Sequence, residues 1–149
     1  MIGVFGGTFD PPHIGHLILA DEARGVLSLS AVLWVVTGIP PHKPSQPVTP
    51  VSHRIGMVER STHGNPQFEI SRLELDRPGP HFAVETLELL AAAYPTERWA
   101  YVMGEDSLAD LPNWHRPERF VQLCQSIVVL RRSQVEADLD RLERQIPGL

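Results

Sequence analysis

The chain reads as one α/β domain: an open, mainly parallel, doubly wound sheet of about five strands, with helices on both faces. Three observations lead there. The 149 residues suit a single compact unit with a real apolar core. Short continuous apolar runs alternate with helix-spaced segments, as they do when helices cover both faces of a parallel sheet. No internal repeat or low-complexity tract interrupts that alternation.

IGVF (2–5) is the first strand. Over residues 13–28, Leu17, Ile18, Ala20, Ala23 and Leu27 recur near helical spacing. VLWVV (32–36) is the second strand, and IPPHKPSQPVTP (39–50) follows it with five prolines. Proline serves neither a central strand nor a helix interior, so a long loop is predicted here. It leaves the C-terminal end of a strand, the edge where open α/β sheets bind ligands. Ser52 is a candidate N-cap for a helix over 53–62. FEIS (68–71) is the third strand, and Val84, Leu87, Leu90 and Ala91 mark one face of a helix over 82–93. WAYVM (99–103) is the fourth strand, and Pro117 suits the first position of a helix over 117–123. IVVL (127–130) is the fifth. Val135, Leu139, Leu142 and Ile146 stripe a last helix, with Asp140 and Arg144 spaced for an i,i+4 pair and Pro147-Gly148 as its stop.

Composition narrows the function. A net charge of −5 argues against a nucleic-acid polymer as partner, because duplex binders need a clustered basic face. A small anionic ligand stays open, since one helix end and a few donors can hold a phosphate. Met1 to Val4 has no basic leader pattern, and no apolar run approaches the roughly 20 residues of a bilayer span. The expectation is a cytoplasmic protein with no membrane partner. The lone Cys124, in FVQLCQSIVVL, reads as a small buried hydrophobe.

GGTFDPPHIGH (6–16) carries the chemistry. Gly6 and Gly7 end the first strand, where a missing side chain permits unusual backbone angles and close approach of a ligand. Pro11 and Pro12 set φ just ahead of the helix, whose first N–H groups and positive dipole end face the crevice. His13 and His16 lie one turn apart and leave the same face. The string lacks the GK[ST] of a Walker loop and the GxGxxG of the dinucleotide fingerprint. Asp10 is suited to brace the turn through backbone N–H groups. A plain strand–turn–helix junction with surface histidines is the alternative. A metal site from His13, His16 and His42 or His115 finds no support from CxxC, HExxH or an acidic triad, so no metal ligand is assigned.

GTFDPPHIGH resembles the GxFDPxHxGH signature of the nucleotidyltransferase superfamily, whose histidines bind nucleoside triphosphate phosphates. The resemblance implies a Rossmann-like fold, His13 and His16 as catalytic residues, and an ATP site that includes Gly6, Gly7, Thr8, Phe9 and Asp10. Three further stretches are similar to bacterial nicotinate-nucleotide adenylyltransferases. TGIPPHKP (37–44) resembles their proline-rich PPHK loop, which implies that His42 and Lys43 meet the mononucleotide phosphate. MGEDSLADLPNWH (103–115) resembles their GxDxLxxLxxW run. There Gly104 lets the nucleotide approach the backbone, and Asp106 contacts a ribose hydroxyl unless it is a helix N-cap. Trp114 stacks on the pyridine ring beside His115. SRLELDRPGPHFAVETL (71–87) resembles the segment in which Ser/Thr-Tyr-Thr holds the nicotinate carboxylate. This chain has His81-Phe82-Ala83 there, so the ring of Phe82 and the backbone at Ala83 remain while the threonine hydroxyl is lost. His81 is either a cationic substitute or a residue facing water.

The implied reaction is adenylyl transfer from ATP, carried with Mg²⁺, to nicotinate mononucleotide, giving deamido-NAD and pyrophosphate by in-line attack. His16 would stabilise charge at the α-phosphate and His13 would orient the phosphates, whose charge favours the cationic imidazole. Phosphopantetheine adenylyltransferase and the cytidylyltransferases share the superfamily signature, but PPHK and the GxD…W run count against them. The resemblance runs from residue 1 to about 132, and no ISxTxIR-type motif follows SIVVLRRS. The single domain over 1–149 is therefore expected to lack the family's C-terminal segment, either as a fragment of a longer chain or with an incomplete triphosphate site, and a nucleotide-binding protein without catalysis is a further alternative.

Overall fold

The computed structural model describes residues 1–39, 47–130 and 137–149. Its centre is β1 (Ile2–Gly7), flanked by β2 (Ala31–Val36) and β4 (Trp99–Gly104). β3 (Phe68–Ser71) and β5 (Ser126–Leu130) form the edges, in the order β3-β2-β1-β4-β5. All neighbours are parallel, with Phe5 opposite Trp34 and Val4 opposite Tyr101. The strand order reverses between β1 and β4, which opens a crevice at their C-terminal ends.

Alternation along the strands sorts the core into two layers. Phe5, Val32, Trp34, Val36, Ala100 and Val102 pack against α1 (Ile14–Leu27) and α2 (Val51–Thr62). Val4, Val35, Trp99, Tyr101 and Met103 point the other way. They meet α3 (Ala83–Ala93), α4 (Glu105–Asp110), the 3₁₀ turn Leu111–Asn113, α5 (Pro117–Leu123) and α6 (Leu139–Gln145). The central strands are apolar on both faces because each face has its own layer, whereas the edge strand β3 turns Glu69 to solvent. Glu88 of α3 also clasps Arg116 at 2.9 Å and Arg119 at 3.2 Å, at the start of α5. Those guanidinium hydrogen bonds hold the Glu88 carboxyl below the usual carboxylate range.

All five predicted strands and the predicted helices form, with Pro117 at the first position of α5. Val135 and most of the proline-rich loop lie outside the described residues. Some local expectations change. α2 starts at Val51 after Pro50, so Ser52 stands in the first turn instead of capping it. α6 is capped by Asp138, whose carboxylate accepts the Arg141 N–H at 2.9 Å. The four ion pairs among the described residues do not include Asp140 with Arg144. Cys124 is half-buried, and desolvation pushes its thiol up to about 12.

The residue that ties the crevice together was not singled out by its motif. Arg54 is 1% exposed and sits on the buried stripe of α2 beside Ile55 and Val58. Its Nη1 donates to the Thr8 carbonyl at 2.7 Å and the Thr37 carbonyl at 2.8 Å. Nη2 donates to Gly38 at 3.1 Å and Nε to Thr49 at 2.8 Å. One planar guanidinium thus joins the loops leaving β1 and β2 to the segment entering α2. Burial lowers its pKa from the usual arginine value, against the opposing pull of Asp10.

Arg54→Met should lower stability by at least about 3 kcal/mol, because several loop carbonyls lose their partner inside the protein. Arg54→Lys should recover little of this, since an ammonium cannot match the planar fork. Urea midpoints at unchanged m-value check both.

Candidate active site

The turn after β1 is built by crowding. A Cβ on Gly6 would overlap the Tyr101 hydroxyl, and one on Gly7 would stand 2.9 Å from Phe9 Cζ. Neither glycine has positive φ; the left-handed residue of the turn is Phe9, at φ 48°. The glycines therefore supply space and not an unusual backbone angle, which corrects part of the expectation. Phe9 holds its unfavourable conformation by burying its ring against Phe5 at 5.3 Å and Trp34 at 5.1 Å. Asp10 braces the turn as expected, its carboxylate accepting the Thr49 N–H at 2.8 Å.

The turn delivers His13 to the N-cap of α1 and His16 to its first turn. Their rings stack with centroids 3.7 Å apart, on one face. His16 Nδ1 accepts the His13 backbone N–H at 3.0 Å. In this geometry the imidazole is neutral with its proton on Nε2, because an Nδ1 proton would meet the N–H head-on. Phe9 and Phe5, at 5.1 and 5.9 Å, hold the ring from the sheet side.

Across the crevice, Gly104 caps α4 and the carboxylate of Asp106 folds back over it, where a Cβ would collide. Asp106 is the second residue of the helix, so the N-cap alternative falls. Trp114 is half-buried, edge-on to Phe120 at 5.2 Å and Tyr101 at 6.1 Å. Phe82 precedes α3 and stacks on the exposed His115 at 4.4 Å.

A cleft of about 700 Å³ spans the switch point. Gly6, Gly7, Thr8, Phe9, Asp10, His13 and His16 line one side, and Phe82, Ala83, Gly104, Asp106, Trp114 and His115 the other. The structure thus brings every described candidate to one site. His42 and Lys43 lie outside the described residues.

Buried polar groups beneath the Phe82 side of the cleft are an addition that the motifs did not reveal. His81 is buried and takes neither of its expected roles. Its Nδ1 accepts the Ile39 N–H at 3.1 Å, so the neutral ring donates from Nε2 to the Arg77 carbonyl, also at 3.1 Å. Glu74, 4% exposed, accepts the Thr86 hydroxyl at 2.6 Å. Desolvation raises its pKa, outweighing the opposing Thr86 bond and the neighbouring Arg77 charge. Arg77 is itself engaged by Glu85 at 2.8 Å. On the α4 side, Glu105 is buried and accepts the Ala137 N–H at 3.1 Å, tying the segment before α6 to the end of β4. A cation on an apolar helical stripe could have flagged Arg54; Glu74 and Glu105 left no comparable signal.

Fold and site together define a nucleotide-binding α/β protein whose histidine-led helix N-terminus faces an aromatic pocket across a sheet switch point. A sequence model of the cytidylyltransferase-like family matches residues 4–144. A probable nicotinate-nucleotide adenylyltransferase of Thermomicrobium roseum is 45% identical over 147 residues, covering 99% of this chain and 68% of the relative. One from Salinibacter ruber is 38% identical over 139 residues, covering 93% of this chain and 71% of the relative. The nicotinic acid mononucleotide adenylyltransferase of Plasmodium falciparum, complexed with NaAD, matches with a TM-score of 0.82 at 16% identity. That match covers 98% of this chain and 71% of the other, and it speaks for the fold. The chain belongs to the cytidylyltransferase-like family and, within it, to the nicotinate-nucleotide adenylyltransferases.

Gly6→Ala should cost about 1–3 kcal/mol by overpacking against the Tyr101 hydroxyl. Adding Tyr101→Phe should return most of it, since the next ring atom, Cζ, lies 3.4 Å from the new Cβ. A double-mutant cycle in urea measures the coupling.

Proposed function

We infer that this protein transfers the adenylyl group of ATP to nicotinate mononucleotide, releasing pyrophosphate and forming deamido-NAD, a step of NAD biosynthesis. The observation that carries this is a single cleft with two stacked histidines at a helix N-terminus and an aromatic pocket of Phe82 and Trp114 opposite, in a chain whose relatives bear that activity in their names.

The mononucleotide phosphate attacks the α-phosphorus of ATP in line, and pyrophosphate leaves. Positioning and charge stabilisation carry such a step without a covalent enzyme intermediate. The triphosphate lies across the start of α1, where N–H groups without helical partners and the dipole favour anions. His16 donates from Nε2 to oxygen at the α-phosphate, and His13 orients the phosphates from the N-cap. Gly6 to Asp10 line the ATP side with Gly104, and Asp106 takes a ribose hydroxyl. On the acceptor side Trp114 stacks on the pyridine ring, with Phe82, Ala83 and His115 around it and His42 and Lys43 toward the phosphate.

Mg²⁺ supplies charge screening when it enters with ATP. Among the described residues no three His, Cys, Asp or Glu side chains group for a metal ion, which fits an ion carried mainly on the triphosphate. Among the described residues no helix is long and apolar enough to cross a membrane, and we assign the protein to the cytoplasm with its nucleotide substrates.

The test is incubation with ATP, Mg²⁺ and nicotinate mononucleotide, following pyrophosphate. Parallel reactions with nicotinamide mononucleotide, phosphopantetheine and CTP-dependent acceptors separate the superfamily alternatives. Binding without pyrophosphate release would identify a non-catalytic nucleotide-binding protein. His16→Ala should lower kcat at least about a hundredfold, the scale of losing one charge-stabilising donor; near-normal turnover would remove His16 from the mechanism.

A further inference from the structure

The floor of the cleft holds a polar atom that neither the fold nor the reaction above employs. Tyr101 is 5% exposed, and its hydroxyl occupies the space over Gly6 at the reversal of strand order. Among the described residues it has no hydrogen-bond partner. Tyr101 lines the open cleft, and its hydroxyl is not one of the sealed polar atoms that lack a partner, so it reaches the cleft with its donor available to a ligand.

The ring lies in the layer that carries Trp114 and Phe82, and its hydroxyl sits over Gly6, where that side of the cleft meets the turn to the histidines. Tyr101 points into the layer shared with α3 and α5, away from the layer that carries α1 and its histidines. Trp114 and Phe120 meet the ring edge-on, at 6.1 and 4.8 Å. Phe82 and Ala83 pack against the same cluster. Burial, and after it the charge of Glu74, raise the phenol's pKa above its ordinary value. The group is therefore a neutral donor at working pH. The acceptor side otherwise lacks the threonine hydroxyl, since residue 83 is alanine.

We propose that Tyr101 is a specificity-determining residue, its hydroxyl donating a hydrogen bond to the carboxylate on the pyridine ring of the acceptor. This rests on the functional reading above. A donor to a charged oxygen gains more than a donor to an amide carbonyl, so the hydroxyl favours the acid over the amide. It also accounts for glycine at position 6, where any side chain would displace the donor.

Tyr101→Phe removes one oxygen and keeps the ring. Its KM for nicotinate mononucleotide should rise about tenfold, the scale of one hydrogen bond to a charged group. Its KM for ATP should change less than about twofold, and that for nicotinamide mononucleotide clearly less than that for the acid. The urea midpoint should stay level or rise, which a merely structural hydroxyl would not allow. An unchanged KM for the acid, equal losses for acid and amide, or a fall in stability with both substrates affected would each overturn the proposal alone. Wild-type protein that neither binds nor turns over either mononucleotide would overturn the functional reading, and this inference with it.

Discussion

A single buried guanidinium sets the geometry on which the site depends. The C-terminal edge of a parallel sheet is where loops diverge, and their carbonyls have no ladder to join. Arg54 gathers four such carbonyls from three segments. Beyond the Thr37 N–H bond to the Gly7 carbonyl at 2.9 Å, it is the guanidinium that fastens the turn carrying Thr8 and Phe9 to the loop leaving β2. Asp10 adds a second tie from the same turn to Thr49, so the entry to α2 serves as the anchor for the turn that precedes the histidines. The anchoring groups are backbone carbonyls, so their pairing does not depend on side-chain identity along the loops. Burying a cation this way is tolerable because four of its five donors are paired.

The two layers of the sheet divide the chemistry between them. The layer of α1 and α2 carries the helix N-terminus and the imidazoles, a setting that suits anions. The layer of α3 and α5 carries the aromatic rings, a setting that suits a flat ligand. The cleft exists where the strand order reverses, because only there do helices of opposite layers separate at the sheet's edge. An enzyme that joins two nucleotides needs one anionic and one aromatic subsite within reach of each other, and this topology places them on either side of β1 and β4.

Polar groups at the sheet's C-terminal edge are paired unevenly. His81 is neutral with both ring nitrogens bonded to backbone, and Glu74 leaves one carboxyl oxygen without a partner. Tyr101 crowds a glycine that exists to admit it. Groups of this kind reduce stability and are kept where a site needs a donor or a fixed charge state. The apolar layers beneath them, with Trp34, Phe120 and Leu87 fully buried, supply the margin.

Strand and helix positions were legible from periodicity, because strands covered on both faces must be apolar throughout and helices must carry one apolar stripe. The histidine pair, the glycines before it and the tryptophan were legible from their motifs, where the chemistry needs those residue types at fixed spacing. Ser52 misled, and the capping alternative for Asp106 failed, because a capping residue is recognised by where the preceding backbone turns, and proline at 50 and glycine at 104 moved those turns earlier. Arg54, Glu74, His81 and Tyr101 acquired their roles only in three dimensions. The hydrogen-bond partners of the first three lie between 4 and 46 residues away along the chain, and which carbonyl, hydroxyl or glycine a buried side chain meets is settled by how the layers close and not by any local pattern.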